Sequence, residues 1–227
     1  MLWALFSSVA GMVVYLDTTA VAQIMICQPI IACPLWGWIA GRPDVGIFCG
    51  VIFQLLWSGS LPVGAAKFPE GNVGALTATA LAVNAASAGG NELPWLAFTL
   101  AILIGVIIAY AGAELTVLVR RLMVGFAPRV TAAAEAGDNA RFSLLFAGAV
   151  GLHALAGLLL TAAGLLAGYI ILKYVNGGAA AEVFRGVWPL MLGAGAAVIV
   201  SRFARRERLR WFYLALALGL GGGWLWL

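Results

Sequence analysis

Apolar runs long enough to enter a bilayer alternate along this chain with short clusters of proline, glycine and charge. The first run covers roughly residues 2–16 and stops at Asp17. A second occupies about 20–41 but contains Pro29 and Pro34. Proline removes a backbone donor and crowds the preceding turn, so this segment is expected to be broken, kinked or re-entrant. A third run spans about 44–61, and a fourth, about 72–90, is rich in Ala, Thr and Gly. Such small residues let helix backbones approach closely. Residues 94–118 read as one clear span. Residues 119–142, with Arg120, Arg121, Pro128, Arg129, Glu135, Asp138 and Arg141, read as a loop or surface helix. Further apolar runs follow at 143–174, 187–201 and 211–227. The expectation is an all-α polytopic membrane protein of about eight apolar segments, with residues 1–227 forming a single membrane-embedded domain.

Composition sharpens this reading. The chain is 63% hydrophobic and 10% charged, with a mean hydropathy of +1.03. A soluble domain carries about 25% charged residues. No Lys or Arg precedes the first apolar run, so a cleaved secretion signal is not expected. The net charge of +4 does not point to nucleic acid, because nine of the 13 basic residues fall in two tight groups. These are Arg120, Arg121, Arg129 and Arg141, and then Arg202, Arg205, Arg206, Arg208 and Arg210. Basic residues confined between apolar spans follow the positive-inside rule and set orientation. A single crossing by 143–174 leaves both groups on the same, cytoplasmic side, whereas two crossings would expel the second group.

The chain contains no phosphate-binding glycine loop, dinucleotide fingerprint or nucleophile elbow, so neither an enzyme nor a cofactor is expected. Cys27, Cys33 and Cys49 lack metal-ligand spacing, and His153, inside an apolar run, reads as a packed or hydrogen-bonded histidine. The polar residues of interest lie in the first third: Asp17, Gln23, Gln28, Gln54, Lys67 and Glu70, with Trp57 nearby. Placing a charge at the centre of a spanning helix costs about 2.5–3.5 kcal/mol, so such groups persist where they face a cavity, a partner or a substrate path. Amides and carboxylates bond hydroxyls, and a flat aromatic covers the apolar face of a sugar ring, so the set suits a neutral polyol. Other roles are open at single positions: Asp17 as a span boundary, Gln23 and Gln28 as interhelical bonds, Lys67 as a snorkelling side chain. The stretch Pro62–Val63–Gly64–Ala65–Ala66 adds irregular backbone, which survives at membrane depth only inside protein or along a cavity.

Residues 28–83 resemble the IIC membrane component of the mannose/sorbose family of bacterial sugar phosphotransferase systems. The matching elements are Asp17 upstream, a Pro-Leu-x-Gly-x-x-x-Gly helix (Pro34, Leu35, Gly37, Gly41) and a Gly-x-x-x-Gln-Leu-x-Trp helix (Gly50, Gln54, Leu55, Trp57). Pro62 to Ala66, followed by Pro69 and Glu70, completes the set. The resemblance implies a sugar permease subunit of elevator-type architecture in the bacterial inner membrane. It implies a IID membrane partner and cytoplasmic IIA and IIB proteins, assembled as a trimer of IIC–IID heterodimers. Phosphoryl transfer belongs to those partners, from a phosphohistidine on IIB to a hexose-type sugar. By the family motif, Gln54, Gly64, Ala65, Ala66 and Glu70 face the sugar, and Asp17, Gln28, Trp57 and Lys67 join them in the expected site. Two departures stand out. Lys67 replaces a residue usually small or apolar, and the chain ends sooner than the family pattern. A sugar sensor or scaffold, or an ion-coupled carrier using Asp17 or Glu70, is the alternative.

Overall fold

The computed structural model describes residues 2–59, 67–88, 94–174 and 187–203. Among these residues the chain forms seven helices and no strand. They are α1 (Leu2–Thr19), α2 (Pro29–Ile39), α3 (Pro43–Trp57), α4 (Gly71–Ala88), α5 (Trp95–Glu135), α6 (Asn139–Tyr174) and α7 (Val187–Phe203). Three of them, α1, α5 and α6, are long and apolar enough to cross a membrane. Their outer faces carry exposed Leu5, Phe6, Ile107 and Leu166, side chains whose natural solvent is lipid. The protein is membrane-embedded and all-helical.

α4 lies at the centre, packed against α1, α2, α3, α5 and α6. It is the least apolar of the central helices, and its Thr77 and Thr79 are fully buried. Each returns its hydroxyl to a carbonyl of its own helix, at 2.8 Å, so burial leaves no polar group unpaired. Small residues then close the bundle. A Cβ on Gly74 would stand 2.3 Å from the carbonyl oxygen of Gly105, so α4 and α5 approach backbone to backbone. α1 and α6 run antiparallel, with Gly11 against Thr161 and Gly157 against Tyr15.

α2 and α3 form a short hairpin. Proline occupies the first turn of each, where its missing N–H has no helical partner to lose. Gly41 turns the chain at φ 75°, and Arg42 pairs with Asp44 at 2.9 Å beside it. At 1.5 Å per residue the two helices measure about 17 and 23 Å, short of a hydrocarbon core about 30 Å thick. A broken second segment was expected, and the break falls before Pro29. Residues 20–28 are irregular, while Pro34 stays inside α2.

Of the two readings of residues 119–142, loop or surface helix, the structure takes the helical one: α5 continues without interruption to Glu135, a tight turn follows with Gly137 at φ 65°, and α6 begins at Asn139. α5 and α6 are therefore about 60 and 54 Å long and overshoot the helices beside them. Arg120, Arg121, Arg129 and Arg141 ride on these helical arms. α6 is a single helix, as the one-crossing reading required. Residues 211–227, the Pro62–Ala66 loop and Arg205 to Arg210 lie outside the described residues.

Candidate functional site

A cavity of about 380 Å³ opens where α1 and α3 end and α2 and α4 begin. Asp17, Gln28, Gln54, Trp57, Phe68 and Glu70 line it, with Thr18, Gln23 and Asn72 at its margins. Five of the nine expected residues thus converge: Asp17, Gln28, Gln54, Trp57 and Glu70. Gly64, Ala65 and Ala66 lie outside the described residues. Lys67 is not among the lining residues. It forms an ion pair with Glu114 on the outside of α5, with 52% and 70% of the two side chains exposed.

The converging residues do different work. Asp17, at the last turn of α1, is 7% exposed and uses both oxygens on backbone. Oδ1 accepts from the N–H of Ile24 at 2.8 Å and Oδ2 from the N–H of Cys27 at 2.9 Å. Between Asp17 and Cys27 the backbone takes left-handed conformations at Ala22, Gln23 and Met25, with φ of 67°, 51° and 66°. Such conformations cost non-glycine residues about 1–2 kcal/mol each, so the Asp17 bonds hold a strained rim in place.

Gln54 ties the opposite wall together. Its Oε1 accepts from the N–H of Ile30 at 3.2 Å, which serves an open donor at the start of α2, and its amide nitrogen donates to Gln28 Oε1 at 3.3 Å. Trp57 stacks edge-on with Tyr110 at 5.9 Å, and its indole lies against Gly71, where a Cβ would come within 2.4 Å of the ring. The indole N–H is buried with no protein partner among the described residues.

Glu70 immediately precedes α4 and is 1% exposed. Its N–H donates to the carbonyl of Ala109 at 2.9 Å, and its own carbonyl accepts from the N–H of Gly74. The carboxyl Oε1 accepts from the Thr116 hydroxyl at 2.6 Å, and the Thr116 oxygen also meets the Tyr15 hydroxyl at 2.9 Å. Oε2 is buried and has no protein partner among the described residues. Arg120, whose guanidinium stands 5.5 Å over the Phe68 ring, acts electrostatically on Glu70. The N-terminal end of α4 also favours negative charge there.

Sequence reasoning missed Tyr15, Asn72, Gly112 and Thr116. Asn72 donates to Thr18 at 3.1 Å and joins α4 to α1 beside the cavity. Gly112 makes room for Glu70, since a Cβ there would stand 2.6 Å from Glu70 Cβ. A signal for two of them was present. In "AYAGAELT", Ala109, Gly112 and Thr116 are spaced three and four apart, which puts a close-approach residue and a hydroxyl on one helix face. Tyr15 carried no local signal. His153, away from the cavity lining, bonds the Ala149 carbonyl at 3.0 Å and lies 6.3 Å from the Tyr15 ring.

Chemically, the residues lining the cavity carry a carboxyl with one unpaired oxygen, side-chain amides, an unpaired indole N–H and aromatic surface. That set is chemically suited to hydroxyl groups, although Trp36 Nε1 and Thr99 Oγ1, away from the cavity lining, are also buried and unpaired.

Comparison with known proteins bears on the whole chain. The family model "PTS system sorbose-specific iic component" matches residues 1–218. A sorbose-specific EIIC component from Lacticaseibacillus casei is 32% identical over 122 residues, covering 54% of this chain and 39% of that protein. The chain spans between 39% and 52% of the length of such curated relatives. Among solved structures, one titled "Structure of membrane protein" superposes with a TM-score of 0.71 at 19% identity, covering 97% of this chain and 87% of that one. A second, the mannose transporter ManYZ in complex with microcin E492, gives a TM-score of 0.57 at 21% identity, covering 96% of this chain and 84% of that one. Both likenesses concern the fold.

Proposed function

The chain belongs to the family of sorbose-specific IIC components of the sugar phosphotransferase system, and on that premise we propose that it is the sugar-translocating membrane subunit of such a system. The observation that carries this reading is Glu70. It is a carboxyl 1% exposed in an apolar protein, with one oxygen unpaired beside a cavity of about 380 Å³. A buried acid without a second partner is costly, and a hydroxylated solute in the cavity would supply that partner. The volume is in the range of about 300–1,000 Å³ usual for small-molecule sites. Gln28 would add an amide donor, and Trp57 both an N–H and a flat apolar face.

The solute class is a hexose. The chain works with a IID membrane subunit, and cytoplasmic IIA and IIB proteins carry out phosphoryl transfer. The whole assembles as a trimer of heterodimers. The cavity lies at the end of the bundle from which the arginine-bearing arms of α5 and α6 extend. With those arms in the cytoplasm, the sugar is held on the side where phosphorylation takes place. Delivery is by elevator-like movement of the bundle, with residues 211–227 as an eighth segment. Orientation, the moving parts and the trimer all rest on the family premise and the charge pattern.

The test is uptake of radiolabelled L-sorbose, D-fructose and D-mannose into membrane vesicles. It is run with and without IID, IIA, IIB and phosphoenolpyruvate. Phosphorylated sugar inside the vesicles only with the full set supports the reading. Sugar bound but never accumulated would make the chain a receptor, and uptake driven by an ion gradient alone would make it a carrier of another class.

A further inference from the structure

Five of the buried hydroxyls in these helices share one habit; Thr99 has no partner among the described residues, and Thr116 has a different one. Ser7, Ser8, Thr77, Thr79 and Thr161 each donate to the carbonyl four residues earlier in their own helix. Thr116, 6% exposed on α5, instead donates sideways to Glu70 Oε1 at 2.6 Å. A hydroxyl has one proton, so Tyr15, whose hydroxyl stands 2.9 Å from Thr116, must be the donor in that second bond. The result is a directed chain: Tyr15 on α1 donates to Thr116 on α5, which donates to Glu70 ahead of α4. The Tyr15 side chain is fully buried, and its ring packs against Gly157 of α6. The chain of bonds is therefore anchored in three helices.

We infer that Tyr15 and Thr116 are positioning residues that fix the rotation of the Glu70 carboxyl and so dictate which of its oxygens meets the solute. A carboxyl at the end of a flexible side chain turns easily about its last bond. Engaging Oε1 from the protein side leaves Oε2 as the oxygen available to a solute hydroxyl. Backbone anchoring through the Ala109 carbonyl and the space at Gly112 fix the stem of Glu70, and the hydroxyl chain fixes its tip. Hydrogen bonds cooperate along such a chain, since Thr116 is polarised by Tyr15 as it donates. The consequence is specificity. One hydroxyl of the sugar is read by a carboxyl whose angle is set by Thr116, 46 residues away in sequence, and by Tyr15 acting through it. This inference rests on the reading of the cavity as a sugar site.

The experiment is equilibrium binding of radiolabelled L-sorbose, D-fructose and D-mannose to the full-length chain in membranes. Monodeoxy derivatives of whichever hexose binds are then compared, in the wild type and in Thr116→Val, Thr116→Ser and Tyr15→Phe. Val keeps the shape of threonine without its hydroxyl, Ser keeps the hydroxyl, and Phe keeps the ring. Thr116→Val is expected to weaken binding by about tenfold, the loss of one hydrogen bond to a charged group. It should also shrink the penalty for the one deoxy derivative that the wild type rejects most. Thr116→Ser restores both, and Tyr15→Phe falls between. Wild-type affinity and an unchanged deoxy pattern in Thr116→Val and Tyr15→Phe would overturn the inference while leaving the sugar site standing. Equal losses in Thr116→Ser and Thr116→Val would also overturn it, because packing would then explain the effect. Binding of no hexose by the wild type would overturn the sugar site itself, and the inference with it.

Discussion

Asp17 and Glu70 are two buried carboxylates on one cavity, and they are wired in opposite ways. Asp17 has both oxygens occupied by backbone N–H groups of the rim it supports. Glu70 has one oxygen held by Thr116 and the other unpaired. Both cost free energy to bury, and both are present because something offsets that cost. For Asp17 the offset is internal, in the strained turn through Ala22, Gln23 and Met25. For Glu70 it is incomplete within the protein, and this is the ground on which we propose it as a binding group. The contrast separates scaffold from site more clearly than burial does, since both residues are under 10% exposed.

This contrast can be broken in a graded way. The largest effect is expected from Asp17→Ala. It removes two charge-assisted bonds of about 1.5–3 kcal/mol each, so a loss of roughly 3–5 kcal/mol is expected, seen as a large fall in unfolding temperature in detergent. Sugar affinity lost without any fall in stability would place Asp17 with Glu70 instead. Next comes Gly112→Ala, where the added methyl meets Glu70 Cβ at 2.6 Å. Overpacking of this kind costs about 1–3 kcal/mol, and here it should displace Glu70 and lower affinity while the 20–28 rim stays intact. Limited proteolysis of the rim distinguishes the two corners. Gln54→Ala should weaken sugar binding by about tenfold, through Gln28 losing its partner and α2 its first bond. Lys67→Ala should do least, at most about 1 kcal/mol, because its pair with Glu114 is exposed. A large loss of affinity in that variant would return Lys67 to the site.

The sequence carried the parts of this arrangement that depend on near neighbours. The break in the segment that holds Pro29 and the single helix over 143–174 were legible from local chemistry and charge. The basic stretch after residue 118 left loop and surface helix both open, because charge reports which side of a membrane a segment occupies, not whether it is helical. Arginine and alanine are good helix formers, and α5 runs on through Pro128. Lys67 was grouped with the site by its place in the family motif, yet its side chain pairs with the exposed Glu114 and is not among the cavity-lining residues. Gln54 and Glu70, which line the cavity, were singled out because polar residues in apolar surroundings announce themselves. Tyr15 and Thr116 were not, because a tyrosine and a threonine in a spanning helix look ordinary. Only the fold brings them together across 101 residues.

The central claim is that the unpaired oxygen of Glu70 binds a sugar hydroxyl. Equilibrium binding of the three radiolabelled hexoses to membranes containing the wild type or Glu70→Gln tests it most directly, with protein amount and unfolding temperature measured on the same samples. The account predicts that the wild type binds at least one hexose. It predicts affinity lower by about a hundredfold in Glu70→Gln, the value of a charged hydrogen bond of roughly 3 kcal/mol, with insertion and stability nearly unchanged. Equal hexose affinity in the two proteins would contradict it.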